Sequence, residues 1–103
     1  MRLLSRNAAR ILARFLASPH APLYGYEIMR DSRIKSGSLY PVLGRFERLG
    51  WIAGSTEAPV GGRPPRRVYT VVGDAIPEMN VALDRYCDAK GLAPHERQQL
   101  VSL

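Results

Sequence analysis

Apolar residues recur at helical spacing in the first third of the chain. In residues 4–17 they fall three or four positions apart, with arginines on another face, which predicts a first helix. Two prolines in residues 18–22 end it, because proline lacks a backbone donor. Residues 24–30, with Tyr26, Ile28 and Met29 as apolar contacts, predict a short second helix. The polar residues 31–35 then have the length of a helix-turn-helix connection.

A third helix is predicted from Ser36 or Ser38, either of which is a suitable cap. Its apolar side comprises Leu39, Val42, Leu43, Phe46 and Leu49. The opposite side carries Gly37, Tyr40, Pro41, Gly44 and Arg48, with Arg45 on its flank. This face is small, flat and basic, and glycine allows a helix backbone to approach another surface closely. Proline in the middle of this set is expected near the first turn, where it is tolerated.

After Gly50, which fits a helix C-terminus, the pattern changes from helix to hairpin. Residues 51–57 predict a strand, and residues 66–72 mix charged, β-branched and aromatic positions typical of a returning strand. Between them, residues 58–65 contain two glycines and three prolines and predict a loop. A helix followed by a basic hairpin is typical of a winged helix-turn-helix, whose helix enters the major groove of DNA while the wing lies on the backbone.

A last amphipathic helix is predicted over residues 75–90, ended by Gly91, with residues 94–101 forming a short turn or fraying. Its apolar stripe comprises Ile76, Met79, Leu83, Tyr86 and Cys87. Since three helices and a hairpin already close a core, we expect the first four to form a dimer interface with a second copy; packing within the chain is the alternative. For the cysteine, a buried apolar role is favoured over redox sensing. The predicted division is residues 1–73 for DNA binding and 74–103 for dimerisation.

Charge supports this division. The 103 residues carry a net charge of +6, but residues 1–73 hold twelve Lys/Arg against four Asp/Glu, whereas residues 74–103 hold three against five. Thirteen of the fifteen basic residues are arginine, whose planar fork suits phosphate and guanine edges, although codon usage alone could produce that ratio. The basic part of the chain therefore coincides with the predicted DNA reader.

The same composition argues against several other classes of protein. No apolar run approaches the roughly 20 residues of a membrane span, and the basic start lacks the continuous apolar region of a signal peptide. The single cysteine excludes an intramolecular disulfide, so a cytoplasmic location is expected. The two histidines are far apart in sequence, and no catalytic triad, metal-binding spacing or Walker loop is present. We therefore expect no enzymatic activity, no metal and no cofactor.

The candidate DNA-binding residues lie on the third helix and the wing. They are Ser36, Gly37, Ser38, Tyr40, Gly44, Arg45 and Arg48 on the helix, and Arg63, Arg66 and Arg67 in the hairpin. Each has a plainer interpretation. The helix arginines are often only solvated charges, the tyrosine could pack on a neighbouring helix, and the wing arginines could merely protect a hairpin edge. Three arginines within five residues beside a basic helix favour contact with phosphate or the minor groove.

Taken in order, four segments resemble the PadR family of bacterial transcriptional regulators. They are Tyr-Gly-Tyr-Glu-Ile at residues 24–28, Ser-Gly-Ser-Leu-Tyr-Pro-Val-Leu at 36–43, Arg-Phe-Glu-Arg-Leu-Gly-Trp-Ile at 45–52, and Gly-Arg-Pro through Arg-Arg-Val-Tyr at 62–69. The resemblance covers roughly residues 8–76. It implies a dimeric winged helix-turn-helix that mostly represses transcription, with a C-terminal dimerisation helix. Members commonly respond to small aromatic or lipophilic compounds, which implies a small-molecule inducer.

The resemblance places Ser36, Ser38 and Tyr40 at the start of the recognition helix and the three wing arginines on DNA. The chain also departs from the family pattern. Tyr24 stands where histidine is common, and Val71-Val72-Gly73 replaces Leu-Thr after the wing, so the last helix loses a hydroxyl cap. With Pro77 close behind, that helix is expected to start late or to be kinked.

These observations together predict a mainly α-helical protein with a small β-hairpin wing and a C-terminal dimerisation helix. The expected function is sequence-specific binding of double-stranded DNA by a homodimer on a two-fold-symmetric operator, acting as a repressor. The alternative is a winged helix that serves as a protein-interaction module, with its arginines binding an acidic partner.

Overall fold

The described part of the chain folds into five α-helices and a three-stranded antiparallel sheet, whereas the sequence predicts four helices and a two-stranded hairpin. A computed structural model describes residues 3–102. Its elements are α1 (Arg6–Ala17), β1 (Leu23–Tyr24), α2 (Gly25–Ser32), α3 (Ser36–Arg48), β2 (Ile52–Glu57), β3 (Arg66–Val71), α4 (Ile76–Ala89) and α5 (Gln99–Ser102). Short 3₁₀ turns at Gly73–Ala75 and Pro94–Gln98 precede α4 and α5. The helices and hairpin are those of a winged helix, which confirms the predicted fold class.

The sheet has the strand order β1-β3-β2. The hairpin pairs Ile52 with Val71 and Glu57 with Arg66, so residues 58–65 form the wing loop as predicted. The sequence analysis missed β1, where Leu23 pairs with Tyr69 and Tyr24 pairs with Val68. A two-residue strand is too short to show alternation, which is why Tyr24 was assigned to the second helix.

The start of α3 differs from the expectation. Neither serine caps it: Lys35 is the N-cap, and its carbonyl accepts hydrogen bonds from the backbone N–H groups of Ser38 and Leu39, both at 2.9 Å. Ser36 and Ser38 are therefore in the first turn with exposed side chains. Pro41 lies in the second turn, one turn later than expected. At its end, Leu49 is 46% exposed rather than part of the core, and Gly50 adopts a left-handed φ of 77° suited to a helix C-terminus.

The apolar stripe of α4 packs inside the protomer. Met79 and Leu83 have no exposed surface and Tyr86 only 5%, because α4 packs against α1 within the same chain. Ile76 is half-buried. α5 also packs on α1 and buries Leu100. The helices α1 to α3 and the hairpin do not close the core alone, so the buried stripe completes the protomer, as in the alternative of packing within the chain.

Two further residues of α4 are settled by the structure. Pro77 lies in the first turn, where its missing donor costs nothing, so the helix neither starts late nor needs a kink. Cys87 is buried, as favoured from the sequence, and burial raises the pKa of its thiol. The indole N–H of Trp51, at the foot of the wing, donates to a carboxylate oxygen of Glu78 on α4.

Candidate nucleic-acid interface

The exposed face of α3 is nearly bare backbone. A β-carbon built on Gly37 would meet no atom within 4 Å, and one on Gly44 would meet only the Arg48 guanidinium, at 3.4 Å. Arg48 is exposed beside them. Gly37 is exposed and Gly44 is half-buried, so at these two glycines another surface could come within van der Waals distance of the helix backbone.

Tyr40, at the upper edge of this face, both packs and remains exposed. Its hydroxyl lies only 2.7 Å from where a β-carbon of Gly25 would be, so a larger residue at the start of α2 would have to displace the Tyr40 side chain. The side chain is nevertheless 40% exposed. The packing interpretation and the binding interpretation are therefore compatible, since the ring is fixed against α2 and presents one side to solvent.

An open groove, the wing groove, separates the helices from the hairpin. Tyr26 of α2 and Tyr40 of α3 form one wall, and residues 63–67 of the wing form the other. The groove encloses about 450 Å³. Its lining combines two aromatic rings with three arginines, so it offers flat apolar surface and positive charge side by side. This is chemistry suited to a polyanion with planar groups.

Arg66 is held over two tyrosines, Tyr24 at the end of β1 and Tyr26 at the start of α2. Its guanidinium carbon lies 5.5 Å from the ring centre of Tyr26 and 6.0 Å from that of Tyr24, and the two rings stack 5.5 Å apart. The Tyr24 hydroxyl donates to Glu57 at 2.6 Å, and this hydrogen bond raises the pKa of Tyr24. The wing is thus attached to α2 through aromatic and hydrogen-bonding contacts, and Arg66 has a defined direction into the groove.

Arg67 differs from Arg63 and Arg66 because it forms an ion pair with an acidic residue, Glu47. Its Nη2 lies 3.4 Å from Oε1 of Glu47 on α3, its Nη1 lies 3.3 Å from the hydroxyl of Thr56, and its guanidinium lies 5.5 Å from the ring centre of Tyr69. Tyr69, followed by Glu47, raises the pKa of Arg67, while burial raises that of Tyr69. Unlike Arg63 at the exposed wing tip, Arg67 has its charge balanced within the protein.

Arg45 lies apart from the other candidates. It is half-buried and lines a second, narrower cavity between the segment leading into α1, the end of α3 and α4, here called the α1–α4 groove. Its lining residues are Leu3, Leu4, Arg45, Leu49, Trp51, Glu78, Ala82 and Arg85. This groove is on another side of α3 from the wing. The structure therefore gathers nine of the ten candidate residues around the face of α3 and the wing, and places Arg45 elsewhere.

A family model for the Transcriptional regulator PadR-like family matches residues 15–74, more than half of the 103 residues. The chain belongs to this family. The match includes α2, α3 and the whole wing, which are the elements that build the face described above.

Solved structures show the same fold. A PadR family transcriptional regulator from Eggerthella lenta DSM 2243 is 22% identical, with a TM-score of 0.63 over 82% of this chain and 81% of that one. The protein smu.1704 from Streptococcus mutans UA159 is 24% identical, with a TM-score of 0.62 over 86% and 85%. The circadian clock associated protein Pex from anabaena is 20% identical, with a TM-score of 0.58 over 85% and 82%. No curated protein sequence is significantly similar to the chain.

This PadR-like regulator also has residues in and beside the wing groove that the sequence analysis did not propose. Tyr26 was taken as an apolar contact, yet it is 45% exposed in the wing groove. Its position two residues before the buried Ile28 was the available signal, because that spacing puts them about 200° apart on a helix. Glu47 and Gly54 were missed because their roles depend on a contact between α3 and the hairpin, which no local pattern reveals.

Within residues 3–102, no helix is long and apolar enough to cross a membrane. Over the same residues, no three His, Cys, Asp or Glu side chains come together as a metal site would require.

Proposed function

We propose that this PadR-like regulator binds specific DNA sequences as a homodimer and represses transcription by occupying a two-fold-symmetric operator. The observation that carries the proposal is the uncovered glycine face of α3 beside a wing groove rich in arginine. A helix without side-chain bulk at Gly37 and Gly44 fits deeply into a major groove about 12 Å wide. The same features would be costly on a surface meant only for water, since glycine weakens a helix.

Each group of residues has a distinct role in this proposal. The backbone at the two glycines and the exposed hydroxyls of Ser36 and Ser38 lie against base edges or the nearest phosphates. Arg48 and the wing residues Arg63 and Arg66 neutralise phosphates on either side, with Tyr26 and Tyr40 packing against the sugar-phosphate backbone between them. Neutralising phosphates releases counterions, so the affinity should fall steeply with salt.

The dimer contact is proposed at the α1–α4 groove in place of the buried α4 stripe. This groove is flanked by exposed Leu3 and Leu49, 49% and 46% accessible, and carries both basic and acidic side chains. A two-fold axis brings identical surfaces together, so a patch holding Arg45, Arg85 and Glu78 is able to pair with its own copy. Binding to two adjacent major grooves requires the two α3 helices to lie about 34 Å apart, one turn of DNA.

An inducer, if it follows the family resemblance, would bind between protomers. The α1–α4 groove encloses only about 90 Å³ in one protomer, less than the roughly 300 Å³ at which small-molecule sites begin. A ligand held between two such grooves would change the angle between the α3 helices. The operator would then be released because only one of its half-sites could still be occupied.

Fluorescence anisotropy tests the DNA proposal. The purified protein is titrated into a labelled duplex from just upstream of its own gene and into a scrambled duplex of equal composition, at two salt concentrations. A preference of about 10³-fold or more for the native duplex is expected of a specific regulator. Equal binding to upstream fragments and scrambled duplexes alike would contradict sequence-specific regulation and favour an acidic protein partner.

Sedimentation tests the dimer. Leu49→Glu should convert the dimer into monomers because it introduces two buried like charges at the axis. Val60→Glu at the wing tip, where the valine is 71% exposed, is the matched control and should leave the mass unchanged. A Leu49→Glu variant with the wild-type mass would show that the contact lies on another surface.

A further inference from the structure

Glu47 is the one acidic residue in α3, and it stands in the last turn. A carboxylate there is opposed by the negative end of the helix dipole. It also lies beside the face that the proposed function places against phosphates, where negative charge is repelled. Neither helix stability nor simple attraction to DNA explains an acidic residue at this position. Its contacts with other elements of the fold offer an explanation.

Those contacts join the recognition helix to the wing. Arg67 Nη2 lies 3.4 Å and 3.5 Å from the two carboxylate oxygens of Glu47, although 20 residues separate the partners. Both side chains are about one-third exposed, at 39% for the arginine and 31% for the glutamate. Exposed pairs of this kind contribute little to folding stability because water competes for both charges. Such a pair can still position the wing against α3, because this role does not require a large contribution to folding stability.

Strand β2 leaves space for the pair at Gly54. A β-carbon there would stand 2.8 Å from Arg67 Nη2, 2.9 Å from Glu47 Oε1 and 3.0 Å from the Tyr69 ring. The first two atoms are the ends of flexible side chains, which would move aside. Alanine at this position would therefore separate the ion pair without changing any charge.

We propose that Glu47 is a specificity-determining positioning residue, which holds Arg67 and the wing against α3 and keeps one arginine from binding phosphates of any sequence. The inference rests on the proposed function. A basic face binds every duplex, so affinity for the wrong sequence grows with each free arginine. By neutralising Arg67, the acid lowers sequence-independent binding, while the fixed wing keeps α3 in the register that its base contacts require.

The test compares charge-changing variants on the preferred duplex and the scrambled duplex. Glu47→Gln frees Arg67, so the salt slope should steepen by about 0.9 and binding to the scrambled duplex should rise about eightfold at 0.1 M salt. Affinity for the preferred duplex should rise less, so the preference shrinks. Combining Glu47→Gln with Arg67→Gln removes both charges and should restore scrambled-duplex binding to near the wild-type value.

The matched control is Asp84→Asn on α4, which adds the same unit of charge. Asp84 also pairs with an arginine, Arg97 at 2.6 Å, but outside α3 and the wing. The Asp84→Asn variant should leave the salt slope of DNA binding unchanged. Gly54→Ala, with no change in net charge, should lower the preference about tenfold by separating Arg67 from Glu47. Should this variant fail to fold, the glutamine variants still decide the question.

Two outcomes are distinguishable. If the wild-type protein prefers one duplex and Glu47→Gln behaves like Asp84→Asn in both slope and preference, the inference is overturned while the proposed function stands. If the wild-type protein shows no preference for any duplex, the proposed function fails, and the role of Glu47 in specificity fails with it.

Discussion

The face formed by α3 and the wing and the layer formed by α1 and α4 are built in opposite ways. In the first, glycines leave backbone uncovered and residues 58–65 are all exposed. In the second, the stripe of α4 fills the interior against α1, and Met79 and Leu83 have no accessible surface. The face formed by α3 and the wing is therefore sparsely packed, whereas the layer formed by α1 and α4 is closely packed. Uncovered backbone and close packing therefore lie in different parts of a chain of only 103 residues.

This difference shows which structural information an amphipathic sequence pattern provides. Helical spacing tells which side of α4 is apolar, but not whether the partner of that side is the same chain or a second copy. The exposed face of α3 is easier to interpret, because small residues opposite an apolar stripe have no packing role within the helix's own domain. Substitutions in the two regions should therefore have separable effects, with stability changing in one and DNA binding in the other.

The largest effect on stability is expected from Leu83→Ala. Removing a fully buried leucine leaves a cavity between α4 and α1, and should lower the free energy of unfolding by about 3 kcal/mol in urea titrations. Val81→Ala on the other side of α4, where the valine is 53% exposed, is the control and should change it by less than about 0.5 kcal/mol. Equal effects of the two would mean that α4 does not pack on α1 in this way.

The largest effect on binding is expected from Gly44→Glu. A carboxylate on the uncovered face of α3 would meet both the base edges and the phosphates, and should weaken binding to the preferred duplex by about a hundredfold. Thermal unfolding should change little, because this face packs on nothing. Gly44→Ala is the control for size: its methyl group meets only the mobile Arg48 guanidinium. Normal binding by Gly44→Glu would exclude α3 as the reading helix.

Much of this contrast could be predicted from the sequence. The limits of the wing loop, α3 and its exposed face followed from local spacing and from glycine and proline. What local patterns could not supply were pairings between distant segments, such as Tyr24 in β1, Arg67 with Glu47, and α4 with α1. Each pairing depends on how the hairpin and helices pack together. From the sequence alone, Arg67 is therefore interpreted as an unpaired charge in the wing.

The hydrogen bond between Trp51 and Glu78 is one of the contacts that join the two regions. Trp51→Phe keeps an aromatic ring beside Phe46 but removes the donor, and should cost about 1 kcal/mol of unfolding free energy. Because the bond ties the foot of the wing to α4, combining it with Glu78→Ala should cost less than the sum of the single changes. Strict additivity in this double-mutant cycle would show that the two side chains act independently.

The smallest expected effect is on the pH dependence of stability and comes from Cys87, whose thiol is buried in the interior. Burial raises the pKa of its thiol in the folded chain, so the folded state holds the proton more tightly than the unfolded state. The stability from this difference is complete below the unfolded thiol pKa of about 8.5 and is lost as pH rises through the folded value. Compared with Cys87→Ala, the wild-type protein should therefore lose unfolding free energy above about pH 8.5.

Alkylation gives an independent measurement of the same thiol. A buried, protonated cysteine should react with iodoacetamide at neutral pH much more slowly than the unfolded chain does. DNA binding should be unaffected by Cys87→Ala, since the thiol lies in the α1–α4 layer. Rapid alkylation of the folded protein would mean that this layer opens to solvent. The division between a packed layer that stabilises and an uncovered face that binds would then have to be abandoned.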